Sequence, residues 1–524
     1  MSERPTAISL AADSTERSVA RTPLEAEFPP EPSAPAARDT ASSSRRMEAS
    51  KWAFSFPAML GACLVGRVFY EARNVSIGPE LWWHIKVGQD LLRTHHFPTT
   101  DTYSWTVTGH PWMAYEWLGE IVFALVSRAG GVVALDAFLF ALSSTIMLLL
   151  YFFASTRAKN SKAGFVSALI LCSLAFANFT ARPQMFGYLF LVLTLIVMEK
   201  FRQGVSWPLW TLPLIFLAWV NMHGSFIIGI GIVVLNLVAG LFTFSKGSVQ
   251  ATAWTPKQRI QLETCLLACL AVLPITPYGT QLAVYPFDMA FSQPINVASV
   301  LEWRPMQFDL LGGKIFLGLI VIAFLLQMFF RFTWRLEELL LLLGGVVMAC
   351  LHIRFVLLFV PFFTPVFAAL LARWIPPYQR AKDKFVLNAV LMAAAAVAIV
   401  YYWPAQKSLD GVVAKQFPVG ALEYLKEHPV AGKMYNSYGF GGYLVQAGIP
   451  TFIDGRGDLY ERGGVFGDYM HLTQFKPGAF SVLRHYDIAV CMLERDEPLS
   501  AALLELPNWR RVYVDKTSAV FVRQ

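Results

Sequence analysis

Glu80, His84, Lys86, Asp90, His95, His96, Asp101, His110, Glu116 and Glu120 crowd into one stretch of the chain, residues 78–120, together with Trp82, Trp83, Trp105, Trp112 and Trp117. Tryptophan favours the headgroup depth of a membrane, and a carboxylate held against lipid or in a low-dielectric cleft needs a partner or a purpose. Two readings stay open on these residues alone. The stretch is a catalytic outer loop, or it is an interfacial amphipathic segment whose tryptophans anchor it.

Further groups of the same kind recur later in the chain. They are Arg182 in A-R-P-Q, Asn221 and His223 in N-M-H-G, the P-Y-G run at 277–279, Glu302 and Arg304 in L-E-W-R-P, and His352 and Arg354 in H-I-R-F. Each follows an apolar run, where a lone arginine usually snorkels to lipid phosphate and a lone histidine usually caps a helix. Taken jointly, charges gathered on one side of a membrane are expensive and mark a site. The run F-I-D-G-R-G-D-L-Y at 452–460 adds Asp454, Arg456 and Asp458 at alternating positions, which share one face if a strand continues through them. A structural, salt-bridged turn using Gly455 and Gly457, with Tyr460 packed below, is the competing reading.

The elements that must position these residues follow from composition. With 55% hydrophobic, 14% aromatic and 15% charged residues among 524, the charged share falls well below the usual share of about 25%. The chain reads as a polytopic membrane protein. Its net charge of +7 is spread over short loops and makes no nucleic-acid-binding patch. Residues 1–50 are rich in Ser, Pro, Ala, Glu and Arg and predict a disordered cytoplasmic tail. Apolar runs at 52–70, 132–154, 163–179, 184–199, 207–222, 225–244, 261–276, 314–331, 337–351, 355–372 and 385–403 predict eleven transmembrane helices in an all-α membrane domain, 51–403, with a long first outer loop at 71–131. Residues 116–127 are too short a run, too soon followed by Gly130-Gly131, and predict a surface helix leading into the second span. The loops carrying Arg157, Lys200 and Arg202, Lys257 and Arg259, Arg335, and Arg380 and Lys382 then all fall in the cytoplasm, as the positive-inside rule requires.

That count puts residues 404–524 outside. Short strands are expected at G-K-M-Y-N, P-T-F-I-D, D-I-A-V-C-M-L, R-V-Y-V-D and S-A-V-F-V-R, with helices at 419–427, 441–447 and 500–506, so a small α/β or α+β extracytoplasmic domain is predicted. The glycine-rich run 436–444 lacks phosphate-loop spacing. Of the six cysteines, five lie in apolar runs and suggest no disulfide framework; Cys265 and Cys269, one turn apart, read as packing residues.

The run E-L-W-W-H-I-x-x-G, with P-T-T-D-T-Y-S-W, E-W-L-G-E, A-R-P-Q, N-M-H-G, P-Y-G, L-E-W-R-P and F-I-D-G-R-G-D-L-Y, resembles a group of bacterial multi-spanning proteins related to the family 39 and RgtA/B/C/D-like glycosyltransferases of the GT-C class. Those relatives usually carry Asp where this chain has Glu80, which keeps the charge and lengthens the side chain by one methylene. The resemblance implies an enzyme of the bacterial cytoplasmic membrane that takes a sugar from a polyprenyl-phosphate carrier and passes it to a glycan, lipid or protein acceptor on the outer face. Such chemistry needs a carboxylate to remove the acceptor proton and fixed cations facing the departing phosphate. It implies Glu80 as base, with His84 and Glu116 beside it, and Lys86, Arg182, His223, Glu302, Arg304, His352, Arg354, Asp454 and Arg456 around donor and acceptor. No tight metal-ligand spacing exists, so no residue is assigned to a metal; a divalent cation, magnesium or manganese, remains open as a cofactor. Two other classes compete: a flippase for lipid-linked sugars, for which no internal repeat is visible, and a non-catalytic envelope assembly protein.

Overall fold

The computed structural model describes residues 52–72, 78–176, 179–299, 301–330 and 332–524, so the expectation for residues 1–50 lies outside the described part. In chain order the helices of the membrane domain are α1 (Phe56–Ala72), α2 (Glu80–Thr94), α3 (Trp117–Ala158), α4 (Ser161–Phe176), α5 (Gln184–Arg202), α6 (Leu212–Met222) and α7 (Phe226–Ala239). After the short strands β1 (Phe244–Lys246) and β2 (Val249–Ala251) come α8 (Pro256–Val272), α9 (Thr280–Phe291), α10 (Pro294–Ser299) and α11 (Leu311–Phe330). Strand β3 (Trp334–Arg335) then leads into α12 (Leu336–Leu351), α13 (Val356–Leu371) and α14 (Phe385–Tyr401).

Helices occupy all eleven apolar runs. Four of them, Trp117–Ala158, Gln184–Arg202, Leu311–Phe330 and Ile353–Leu371, are long and apolar enough to cross a membrane, and α14 forms a fifth if it and the helix after it, bent by 60°, make one span. The other helices on those runs are shorter than a full crossing of about 20 residues, so helix length supports a multi-pass chain without fixing the count at eleven.

The run 116–127, expected as a surface helix, forms the first part of the 42-residue α3. Gly130 and Gly131 interrupt it with non-helical dihedrals, and Gly131 at φ 58°, ψ −141° occupies a region closed to side chains with a Cβ. The glycine pair thus kinks α3 between the piece that packs under α2 and the apolar piece that follows.

Helix α13 is the axle of the membrane domain. Every residue from Val356 to Leu370 is buried, and Phe359, Phe363 and Phe367, four apart, stack face to face with centroids 4.8 and 5.1 Å apart. Against it pack α3, α4, α11 and α12, and α1 joins the same core through its contacts with α3 and α4, with Leu64, Val68, Met147 and Leu171 in one cluster. At the Arg202 end of α5, Arg335 binds Glu199 at 2.7 Å, Arg202 lies 3.2 Å from Glu337, and Arg157 pairs with Glu338. The same basic residues that signal topology therefore also tie α3, α5 and α12 together, alongside the β1-β2-β3 sheet.

The C-terminal region begins with α15 (Gln406–Gln416) and α16 (Val419–Glu427), followed by β4 (Lys433–Asn436), α17 (Tyr438–Gln446), α18 (Gly457–Arg462), α19 (Val465–Thr473), α20 (Ser481–His485), β5 (Ile488–Glu494), α21 (Pro498–Leu504), β6 (Trp509–Val514) and β7 (Ser518–Arg523). Its sheet has the order β4-β5-β7-β6, with β4 parallel to β5 and the other pairs antiparallel. One expected strand is absent. In P-T-F-I-D, Thr451 makes a single bridge to Ser104 of the loop between α2 and α3, because Asn436 and Thr106 take the backbone groups of Phe452 that a ladder would use. The domain accordingly shares an apolar core with that loop: Trp83, Val87, Val107 and Trp112 lie in one cluster with Tyr435, Phe452, Tyr460 and Phe466.

Candidate active site

Helix α2 starts at Glu80, directly after Pro79, whose fixed φ of −60° suits a helix start. An acidic residue in the first turn is favoured by the helix dipole. Glu80 and His84, four apart, share one face with Trp83, while Leu81 and Ile85 turn into the membrane-domain core. Gly88 has no room for a Cβ against the Glu120 backbone, so α2 lies flat on the first turn of α3.

These side chains open into a cavity of about 760 Å³. At its polar end Arg182, just ahead of α5, stands between two carboxylates: its Nε is 3.1 Å from Glu80 Oε2 and its Nη1 donates to Glu302 Oε1 at 2.7 Å. Burial pushes the Glu80 carboxyl up, Arg182 and Arg354 pull it down and Glu302 pushes it up again, with a net rise. Arg182 itself is held firmly charged, since Glu80 and Glu302 outweigh its desolvation.

Glu116 lies deeper, between two imidazoles. Its Oε2 is 3.6 Å from His84 Nε2 and its Oε1 is 3.5 Å from His223 Nε2. His84 reaches on through Nδ1 to Glu120 Oε1 at 3.2 Å. The Ser225 backbone N–H donates to His223 Nδ1 at 3.1 Å, which fixes that nitrogen as the acceptor and leaves the ring proton on Nε2, toward Glu116. Burial holds His84 well below the usual imidazole range and, with Arg354, pushes His223 down to about 3. Glu116 is held well above the carboxylate range by burial and Glu80, against the pull of Arg354 and Arg182. Burial thus pushes every group of the string toward its neutral, uncharged form, beside the Glu80–Arg182 pair.

Two loops close the cavity wall by main-chain pairing: Ile353 N–H donates to Arg304 O at 2.9 Å and Met306 N–H to Cys350 O at 3.0 Å. This sets His352 against the Trp303 carbonyl, Nδ1 to O 2.6 Å, and the Arg354 guanidinium over the Trp303 ring at 4.3 Å.

Of the residues singled out from the sequence, Glu80, His84, Glu116, Arg182, His223, Glu302, His352 and Arg354 all line this one cavity. Four do not. Lys86 is on another face of α2, paired with Asp90 at 3.3 Å. Arg304 contributes its carbonyl to the loop pairing and leaves its side chain exposed. Asp454 and Arg456 are fully buried behind the wall: Arg456 donates to Asp454 Oδ2 at 2.6 Å and to Asp101 Oδ1 at 2.5 Å, and Tyr460 Oη donates to Asp454 Oδ2 at 2.6 Å. Burial raises the Asp454 carboxyl, but the Arg456 charge and these hydrogen bonds overcome it and hold it low. The structural turn is the correct reading for these two residues.

Tyr115, Tyr285, Asn296, Tyr438, Gly455, Gly457 and Asp458 also line the cavity and were not assigned from the sequence. Tyrosines and glycines in loops carry no spacing signal, and Asp458 looked equivalent to Asp454 until α18 turned it the other way. Among the described residues no group of three or more His, Cys, Asp or Glu side chains is placed to hold a metal ion, so no step is derived through one.

No family model and no curated protein matches the chain. It is similar to three solved structures of interest. The first is ArnT from Cupriavidus metallidurans bound to undecaprenyl phosphate, with 12% identity, 88% of this chain and 96% of that one covered, and a TM-score of 0.49. The second is the Archaeoglobus fulgidus oligosaccharyltransferase tethered with an acceptor peptide, with 11% identity, 83% and 68% covered, and a TM-score of 0.47. The third is the arabinofuranosyltransferase AftD from Mycobacteria, with 11% identity, 88% and 39% covered, and a TM-score of 0.47. At these identities and scores the likeness assigns no residue of this chain a role.

Proposed function

We propose that the protein is a membrane glycosyltransferase that moves a sugar from a polyprenyl-phosphate carrier to an acceptor hydroxyl on the outer face of the bacterial cytoplasmic membrane. One observation carries this reading: the cavity that holds Glu80 and Arg182 at its polar end continues as an apolar arm lined by Ile228, Ile232 and Leu235 of α7 and Leu340, Leu341 and Met348 of α12. A polyprenyl chain fits such an arm, and its phosphate then meets the arginines.

Arg182 exchanges partners in this scheme. Glu302, at 36% exposure, is wetter than Glu80 at 26%, so an arriving phosphate displaces Glu302 at lower cost. The acceptor oxygen attacks the anomeric carbon as Glu80 takes its proton. The bond from that carbon to the phosphate oxygen breaks, and its electron pair stays on the phosphate, facing Arg182 and Arg354. Glu116, His84 and His223 stay neutral and form the floor under the base, holding the acceptor by hydrogen bonds.

The test is transfer from radiolabelled polyprenyl-phosphate sugars in membranes containing matched amounts of protein. Label appearing in a carrier-free product supports the reading. Absence of transfer by the wild type across a panel of hexosyl and pentosyl donors overturns it.

A further inference from the structure

The cavity has a second polar wall, built jointly by α9 and the C-terminal region, that the proposed reaction does not use. Asp458, in the first turn of α18, and Tyr285, in α9, both line it, and both are more than nine-tenths buried, at 4% and 5% exposure. Asp458 Oδ1 and Tyr285 Oη have no hydrogen-bond partner. Asp458 and Tyr115 both lie near enough to the Tyr285 hydroxyl for a weak, poorly aligned hydrogen bond, but neither contact reaches good hydrogen-bond geometry. A buried carboxylate oxygen and a buried phenol left open are costly, and a ligand that completes both removes the cost.

The surroundings are rigid. Tyr115 stacks on Tyr285 with centroids 4.4 Å apart and planes 22° apart, which fixes the phenol. Gly457 approaches Asn296 so closely that a Cβ there would sit 2.9 Å from Asn296 Oδ1. Glu461 accepts from the Ile295 and Asn296 N–H groups at 2.8 and 2.7 Å, which pins α10 to α18. The open atoms therefore sit in a preformed wall.

Resting on the glycosyltransferase reading, we propose that Asp458 and Tyr285 form an acceptor subsite for an uncharged sugar ring, so that the acceptor is a neutral glycan end. A sugar hydroxyl donates to the carboxylate and accepts from the phenol, completing both open atoms at once. A phosphate or carboxylate offers no donor and faces the carboxylates of Asp458 and Glu80. An ammonium group offers donors alone and meets Arg182 and Arg354 in the same cavity. The cationic end thus takes the carrier, and the acidic, phenolic end takes the acceptor.

The test uses the full chain in lipid nanodiscs, with saturation-transfer NMR to methyl α-glucopyranoside, methyl α-mannopyranoside and methyl α-arabinofuranoside, and with glycerol 3-phosphate and a methyl glucosaminide as charged controls. Tryptophan quenching by undecaprenyl phosphate is measured in parallel. Expected is transfer to at least one neutral glycoside, reduced at least about tenfold in Asp458→Ala and severalfold in the isosteric Tyr285→Phe, with undecaprenyl phosphate binding retained in both. Three results overturn the subsite: no neutral glycoside signal in the wild type, signals unchanged in both variants, or a stronger signal from either charged control. Loss of undecaprenyl phosphate binding by the wild type, with the glycoside signal intact, overturns the carrier reading instead.

Discussion

Gly455 of the C-terminal region lies directly against Glu80: a Cβ added to it would come within 2.9 Å of Glu80 Cγ and 2.9 Å of Trp83 Nε1. A residue near the end of the chain thereby sets the rotamer of the residue that opens α2. Gly455→Ala should displace the Glu80 carboxylate while leaving the backbone in an allowed region. Misplacing a reacting group by about 1 Å can cost about 10²-fold in rate. Transfer assays at matched protein level should show a loss of that order, with polyprenyl phosphate binding preserved.

Glu80→Gln keeps the size and removes the charge. Because Glu80 is one of two carboxylates on Arg182, the arginine keeps Glu302 as partner and the fold should hold. The transfer rate should fall by about 10²–10⁴-fold, the usual contribution of a positioned base, and Glu80→Asp should recover much of it. Wild-type rates in the Gln variant would remove Glu80 from the mechanism.

Arg456→Met should separate stability from chemistry in the opposite sense. It leaves Asp454 and Asp101 buried without their cation, and breaking a buried pair this way costs about 3–5 kcal/mol. The unfolding temperature in detergent should drop steeply. Molecules that remain folded should transfer at the wild-type rate, since Arg456 does not reach the cavity.

His223 makes stability depend on pH. Folded, it takes a proton near pH 3; unfolded, near the ordinary imidazole value of 6.5. The unfolded chain therefore binds the extra proton between these values, and stability present above pH 6.5 is lost as pH falls. His223→Asn should flatten the decline of unfolding free energy between pH 6.5 and 5 by up to about 1.4 kcal/mol per pH unit. A decline of equal slope in the variant would show that His223 is charged in the folded state.

Much of the site was legible because charge at membrane depth is conspicuous. Glu80, Arg182, His223 and Arg354 stand out from apolar runs, and the fold brings them to one cavity. Lys86 misled because residues 80–94 form a helix whose faces diverge, which a stretch rich in charge does not reveal. Asp454 and Arg456 misled because a buried ion pair and a functional one use the same residue types, and only contact with Asp101 distinguishes them. Asp458 and Tyr285 were hidden for a different reason: their meeting depends on α18 and α9 being packed together, and no local pattern encodes a contact between elements so far apart. The helices themselves followed from hydrophobic runs, but several are shorter than a bilayer-spanning length, and run length overestimated them.

The bond from Arg456 to Asp101 joins residues 355 positions apart. At a synthesis rate of about 5–20 residues per second, the first outer loop waits roughly 20–70 s for the arginine that completes it. During that time Asp101 holds its own loop alone: Oδ2 accepts from Ser104 Oγ at 2.6 Å and Oδ1 from the Tyr103 N–H at 3.2 Å. Trp83 and Trp112 wait beside it, deprived of their partners in the cluster. A chain halted before residue 456 therefore keeps the turn around Asp101 but lacks both the cation that neutralises it and the apolar surface that covers Trp83 and Trp112.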